Sequence, residues 1–449
     1  MRHIRWFVLG MIFVITLSAI APADVLAAAA KTAGTPACDS RWYEPAMTVV
    51  PQGRITVKGQ AQPVYYQVGL EEELYSSDAA LDSGSVTRVY NTLKQDNQTY
   101  YAIGGDKYVK ANSNLKYEKV PTSIRNCMLD AVADYNVKTW VAEAKMLKTP
   151  LTKLIFLFQR LDEHVTYDYP LYNGTGGDPL SYTSTGALAN GLAVCEGYAT
   201  ALALLLTKVG IENKTITGLA TNGIGTDGHM WNLVKLDGLY YHVDPTWGDD
   251  YIGQFHYFLL PDQDMKRNHY WSMKTYATSD KYAFFDRISN AFNLDLVNGT
   301  YDEIGYSGGI ERKKLADKST VRITPAGDRV YGAPQVYNGE LYYLTDRGLK
   351  KVSLDGSNAQ FLDKPEGAVN HFIVFNNKVY YTSLRISFDE PYAFKVFKSG
   401  TDGSNPELAY TFTEMENHNF RGFYVAKDGA HSTLYCYTDD HQLIRMDSF

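Results

Sequence analysis

The chain has 449 residues, 45% of them hydrophobic and 21% charged, which is too apolar for a disordered protein and long enough for about three cores. Forty-three basic residues against 50 acidic ones leave a formal charge of -7 with no long run of like charge, which argues against a nucleic-acid binder working through a basic stripe. Tyrosine, at 35 residues, is the commonest aromatic, a bias toward sheets and half-wet surfaces rather than a dry helical bundle.

Residues 1–30 read as an export signal. Arg2 and Arg5 precede an apolar stretch from Trp6 to Ala21, and Ala27 to Ala30 before Lys31 offer a small-residue cleavage site. Pro22 and Asp24 end the apolar run below the ~18 to 20 residues a membrane span needs, which sets cleavage ahead of the alternative, an N-terminal membrane anchor. The expectation is a secreted, extracellular or cell-surface protein, in which disulfides are permitted. Four cysteines, Cys38, Cys127, Cys195 and Cys436, are too few for a disulfide scaffold. Cys38 and Cys127, both in the N-terminal region, are the candidate pair. Cys436, inside the strand-like run Leu434-Tyr435-Cys436-Tyr437, reads as a buried unpaired thiol.

Residues 31–147 mix strand patterns at Arg54 to Lys58 and Pro63 to Val68 with a helical one from Arg125 to Val141, an N-terminal α+β region. Residues 148–280 are more regular. Apolar positions Leu154, Ile155, Phe158 and Leu161 make Leu151 to His164 an amphipathic helix, and the loop Asn173 to Pro179 then breaks regular structure. Ala193-Val194-Cys195-Glu196-Gly197-Tyr198-Ala199 opens a second helix that runs to Lys208 and stops at Gly210. Strands follow at Thr215 to Leu219, Met230 to Leu236 and Leu239 to Val243. Asp237-Gly238 joins the last two as a hairpin, because both residues tolerate the positive φ of a type I′ turn. Residues 281–329 read as a connecting segment with a helical signal near Tyr282 to Phe292.

From 330 to 449 the texture repeats. Val336 to Tyr343 recurs as Val374 to Tyr381, a looser copy spans Lys427 to Tyr435, and Asp355-Gly356-Ser357-Asn358 returns as Asp402-Gly403-Ser404-Asn405. Hairpins at this spacing predict a tyrosine-rich, propeller-like β-repeat domain. Two to three copies fall short of the ~4 to 8 blades of a ring, so the array is open, capped by the preceding segment, or completed by another chain. Tyr342, Tyr343, Tyr380 and Tyr381 suggest cell-surface or glycan contact through residues 330–449, with one ring of each pair able to face outward.

One constellation looks assembled for catalysis. Cys195 lies at a loop-to-helix junction, where free backbone N–H groups and the helix dipole favour a thiolate. His229 starts one arm of the hairpin and Asp244 ends the other, so the two should be neighbours, with the carboxylate accepting a hydrogen bond from the imidazole and favouring its cationic form. That is the logic of a thiolate-imidazolium pair with an orienting carboxylate. Tyr198, Trp231 and Trp247 are candidates for an aromatic substrate groove. No calcium-loop pattern or histidine-cysteine cluster occurs, so neither a metal nor a cofactor is expected.

Three phrases in this order, Gly191 to Ala199, Gly228-His229-Met230-Trp231-Asn232-Leu233-Val234 and Tyr240 to Asp249, resemble the transglutaminase-like superfamily over about residues 151 to 271. Together with the repeats, the expected fold class is multidomain α+β, with an all-β repeat domain after the core. The resemblance implies that this core is papain-related and packs a cysteine-bearing helix on an antiparallel sheet. It further implies Cys195 as nucleophile, His229 as general base and acid, and Asp244 as orienter. Asp168 and His269 resemble family positions with packing or hydrogen-bonding roles. The implied activity is acyl transfer or hydrolysis at amide bonds of proteins, peptides or cell-wall peptides, of transglutaminase, deamidase or protease type, through a Cys195 thioester. The alternative is a catalytically silent extracellular binding or scaffold protein that works through its repeat domain.

Overall fold

The computed structural model describes residues 38–68, 73–248, 255–287, 291–362, 368–384, 393–413, 420–428 and 431–448; the expected export signal and Asp249 lie outside them. Among the described residues the chain divides into two compact units, one combining 52–119 with 301–448 and the other combining 38–51 with 120–300. This differs from the expected domains of 31–147, 148–280, 281–329 and 330–449. The first strands belong with the C-terminal sheets, while the helix that follows them belongs with the cysteine-bearing unit.

The reason is burial. Ile55, Val64, Tyr66, Val68, Tyr75, Val89 and Val109 share one core with Ala426, Tyr435 and Leu443. Rings interlock across it, with Tyr66 5.9 Å from Tyr435 and Tyr75 5.7 Å from Tyr437, and Ser76 bridges to Gln442 as a parallel neighbour. The last sheet, Phe420–Asp428, His431–Thr438 and Leu443–Ser448, is therefore covered by residues from the opposite end of the same chain. Residues 291–322 supply a further four-stranded sheet, so much of the expected connecting segment is β-structure. The helical expectation at Tyr282 to Phe292 meets, among the described residues, a 3₁₀ turn, Phe285–Arg287, and the strand Ala291–Asp295, with 288–290 lying outside them. Phe285 is wholly buried against Phe255 and Phe258, and this tertiary packing overrides the local helical spacing.

The repeated phrases fall at equivalent places. Val330–Tyr337, Glu340–Thr345, Gly348–Ser353 and Gln360–Phe361 form one sequential four-stranded sheet, and Ala368–Phe375, Lys378–Leu384, Ala393–Gly400 and Glu407–Thr413 form another. Asn338-Gly339 and Asn376-Asn377 make the first turns with positive φ at all four residues. The Asp-Gly-Ser phrase closes the turn after the third strand, where Ser353 N–H donates to the Ser357 carbonyl at 2.9 Å and Gly400 N–H to the Ser404 carbonyl at 2.8 Å. Gly403, at φ 82°, cannot be replaced there, because a Cβ would lie 1.8 Å from the Leu362 carbonyl of the preceding sheet.

Stacked in this way, the sheets bury both rings of each tyrosine pair. Tyr381 packs with Tyr342, Leu344 and Val369, and Tyr380 packs on the other face with Phe375, Phe423 and Leu434. Tyr343 donates to Asp328 at 2.9 Å and Tyr380 to Asp447 at 2.6 Å. These four rings are core, so the glycan contact expected of them is corrected. Cys436 is buried and free, and burial pushes its thiol well up.

The second unit carries helices α1 (Thr122–Met146), α2 (Pro150–His164) and α3 (Cys195–Lys208). Cys38 is disulfide-bonded to Cys127 of α1. Thr149 caps α2 reciprocally with Thr152, and Pro150 occupies the first helical position. Five antiparallel strands, β1 (Asn213–Thr221), β2 (Thr226–Leu236), β3 (Leu239–Val243), β4 (Phe258–Leu260) and β5 (His269–Tyr270), form a sheet in the order β4-β3-β2-β1-β5. Asp237 and Gly238 turn β2 into β3 with φ values of 52° and 80°. Tyr198, Leu202, Leu205 and Leu206 line the buried face of α3, which packs on β1 and β2. Among the described residues, no helix is long and apolar enough to cross a membrane.

Because the apolar face around Tyr435 and Leu443 is covered from residues 55–109, a fragment of residues 301–449 made alone should lack a cooperative melt and bind a hydrophobic dye. The full chain should show neither defect. Circular dichroism and dye fluorescence check this.

Candidate active site

Cys195 is the first residue of α3. Val194 before it is extended, and the first-turn N–H groups, which lack intrahelical partners, carry no side-chain cap. Gly197, in that turn, is obligatory: a Cβ would lie 2.3 Å from the Ser181 carbonyl and 2.8 Å from the Ala193 Cβ. The upstream loop is held by buried Asp168, which accepts from Leu171 N–H and Asp178 N–H at 3.0 Å and from the Ser181 hydroxyl at 2.7 Å. The Ser181 carbonyl then accepts from Val194 N–H at 2.9 Å, which sets the chain entering α3.

Asn232 of β2 fixes the helix to the sheet, its amide donating to the Ala199 carbonyl at 2.9 Å. Three residues earlier on β2, His229 is 7% exposed and directs Nε2 to Asp244 Oδ2 at 2.7 Å. Cys195 lies close enough to favour the charged form of the imidazole. With Nε2 committed to the carboxylate, Nδ1 is the nitrogen left for the thiol. Asp244 follows the last residue of β3 and is wholly buried, its own N–H donating to the Tyr257 carbonyl at 2.9 Å. Oδ1 accepts from the backbone N–H groups of Thr246 at 2.9 Å and Trp247 at 3.3 Å. Oδ2 accepts from His229 and also from His269 Nε2 at 3.1 Å.

Burial alone would push His229 down, but the opposing charge and hydrogen bond of Asp244, with Cys195, raise it to about 10. Burial works the other way on Asp244, and the charge and hydrogen bond of His229, reinforced by His269, hold its carboxyl well below the usual range. The pair is therefore carboxylate and imidazolium across neutral pH.

His229, Asp244 and His269 bring ligand atoms within 4.8 Å of one another, a spacing at which a cation could be held. Here both imidazoles direct Nε2 at one carboxylate oxygen at hydrogen-bond distance, which puts a proton, not a free lone pair, on each. The cluster reads as a hydrogen-bonded fork.

Cys195, His229 and Asp244 thus lie together. The groove residues divide. Tyr198 and Trp231 are wholly buried, Tyr198 donating to the Val165 carbonyl at 2.9 Å and Trp231 Nε1 to His242 Nδ1 at 2.9 Å, so both are corrected from groove wall to core. Trp247 is half-buried and packs 5.3 Å from His229 and 4.7 Å from His269. The aromatic wall beside Cys195 comes from elsewhere. Tyr169, Tyr172 and Tyr182 are exposed, Tyr167 lies 4.9 Å from Tyr169 and 5.9 Å from Tyr172, and Tyr172 donates to Asp227 at 2.6 Å. Burial and then the Cys195 charge push Tyr167 up. The run Tyr167-Asp168-Tyr169-Pro170-Leu171-Tyr172 was the sequence signal for this wall.

Residues 138–245 match the model of the transglutaminase-like superfamily. This segment is similar to transglutaminase-like domains. Among solved structures, a TGase aligns at 18% identity over 33% of this chain and 43% of that one, with a TM-score of 0.23, so the alignment takes in less than half of that protein. A candidate cysteine protease from Cytophaga hutchinsonii aligns at 13% identity over 43% of this chain and 74% of that one, with a TM-score of 0.21. A candidate TolB from Agrobacterium tumefaciens does so at 13% over 45% and 90%, with a TM-score of 0.23. No curated protein matches the sequence.

The His229 shift carries a pH signature. Since the folded value lies above the ordinary ~6.5 of an unfolded histidine, its stabilisation is complete below ~6.5 and is lost as pH rises toward about 10. Asp244 acts oppositely, its share present above ~3.9 and lost on acidification. The melting temperature of the parent protein should therefore fall between pH 6.5 and 10, and that of a His229→Gln variant should fall less. Scanning calorimetry across this range checks the difference.

Proposed function

We propose that the transglutaminase-like domain is a thiol enzyme acting on amide bonds of proteins or peptides, with Cys195 as nucleophile, His229 as acid and base, and Asp244 as orienter. The observation that carries this reading is the 2.7 Å bond from His229 Nε2 to buried Asp244, which favours the imidazolium form, together with a cysteine near that ring at a helix N-terminus.

The chemistry starts from the thiolate that a helix N-terminus and a neighbouring imidazolium favour. The Cys195 thiolate attacks the amide carbonyl to give a tetrahedral oxyanion, which the first-turn N–H groups of α3 can stabilise. As the C–N bond breaks, His229 passes its proton to the leaving amine or ammonia, and a thioester remains on Cys195. Water or a second amine then adds to the thioester, His229 takes the incoming proton, and the thiolate leaves. The exposed tyrosines beside Cys195 give a peptide substrate an amphipathic wall.

Export is part of the proposal. The charged, apolar and alanine-rich order of residues 1–30 supports a cleaved signal, and the Cys38–Cys127 disulfide supports an oxidising location. The sequential four-stranded sheets of the other unit support a propeller-like array.

Peptides bearing carboxamide side chains, incubated with and without a primary amine, test the reading by mass spectrometry. We expect amine incorporation, deamidation or cleavage, together with an acyl adduct on Cys195, all abolished by Cys195→Ala. At pH 6, His229→Ala should slow iodoacetamide labelling of Cys195 roughly tenfold. Labelling that is indifferent to His229, with no acyl adduct, would sink the enzyme reading.

A further inference from the structure

The Cys195, His229 and Asp244 line leaves one buried polar group beside it unexplained. His269, on the edge strand β5 and paired opposite Ala220 of β1, is wholly buried, yet it comes from neither the hairpin nor α3. Packing alone would be served by an apolar side chain, without the cost of removing an imidazole from water. Instead its Nε2 is spent on the same Asp244 oxygen that holds His229. The orientation of the ring is itself secured. Nδ1 faces Asn268 Oδ1 at 2.8 Å, and the Asn268 amide donates to the Tyr257 hydroxyl at 2.6 Å. Trp247 at 4.7 Å, Trp231 at 5.0 Å and Tyr257 at 5.3 Å enclose it.

We propose that His269 is a positioning residue for acyl transfer, sharing Asp244 with His229 so that the carboxylate orients the reacting imidazole without pinning its proton. The proposal rests on the thiol-enzyme reading above. A carboxylate oxygen that accepts two N–H donors divides its charge between them, so each bond is weaker than a sole bond would be. Asp244 Oδ1 already holds two backbone donors, which fixes the plane of the carboxylate. His269 completes the set on Oδ2. If Asp244 had His229 as its only imidazole partner, it would grip the imidazolium harder, and proton delivery to the leaving amine would be uphill by that margin.

The groups facing His269 are few. Asp244 comes from the end of β3, His229 from β2, and Tyr257 from the segment before β4; His242 of β3 interacts electrostatically and is itself bound to Asp262 at 2.8 Å. Among the described residues Asp244 is the group hydrogen-bonded to both His229 and His269, so restoring only the N–H toward Asp244 separates its share from that of the direct ring contact at 5.3 Å.

Two variants separate this role from packing. His269→Phe fills the space without a donor, and His269→Gln restores an N–H toward Asp244. In the full-length protein, NMR titration of the His229 ring should show its midpoint rising by about 0.5 to 1 unit in the Phe variant and returning toward the parent value in the Gln variant. With an amide substrate, kcat should fall roughly tenfold in the Phe variant at unchanged KM and recover in the Gln variant. An unmoved His229 midpoint in a folded Phe variant, or equal effects of Phe and Gln, would overturn the proposal. If the Phe variant does not fold, His269→Asn, polar but too short to reach Asp244, takes its place with the same expectation. The titration needs no substrate, so a parent protein that turns over no amide defeats the enzyme reading and leaves the His269–Asp244–His229 coupling to be decided by NMR alone.

Discussion

A buried carboxylate is the constraint on which the cysteine-bearing unit depends. Asp244 carries its charge where no water reaches it, and such a charge survives only when fully paired. Four donors meet that demand, two from the backbone of the turn that follows β3 and two from histidines on different strands. Satisfying them fixes several things together: the end of β3, the ring of His229 on β2, and β5 at the sheet edge. The Asp237-Gly238 turn sets the register that brings His229 and Asp244 alongside, and the Asn232 to Ala199 bond transmits that register to α3 and so to Cys195. Geometry at the thiol is thus a consequence of strand pairing several residues away.

A second histidine network stands behind the first. Trp231 donates to His242, which is bound in turn to Asp262, and Trp231 stacks near His229 at 6.0 Å. Burial pushes His242 down despite Asp262, so this imidazole serves as a neutral acceptor for the indole while His229 is held cationic. Two histidines on adjacent strands take opposite protonation states because one is paired with a buried charge and the other receives a hydrogen bond.

Much of the site was legible because its determinants are local. A cysteine at a helix start and a histidine and an aspartate at the open ends of an Asp-Gly hairpin are each set by short-range rules, and pairing brings the latter two together. The elements of the cysteine-bearing unit followed for the same reason, with α3 and β3 matching their expected bounds. Less legible were features set by what lies across a contact. Trp231 and Tyr198 look like groove residues by type, yet their polar tips find partners in the core. The tyrosine pairs alternate as a half-exposed strand would, yet the neighbouring sheets cover both faces. No pattern within residues 330–449 could reveal that the missing cover is supplied from residues 55–109, because burial across hundreds of residues leaves no periodicity to read.

The nesting of one unit within the other has a temporal consequence. During synthesis the strands of residues 53–119 appear first, but the sheet they must cover lies past residue 420, after the whole cysteine-bearing unit has been made. Contacts such as Tyr435 to Asp78 span 357 residues, and such non-local pairings form more slowly than local ones. The cysteine-bearing unit, whose main ladders join neighbouring segments, can be complete while its host is still open. The last sheet to be synthesised is therefore the one that supplies the partner the earliest strands need.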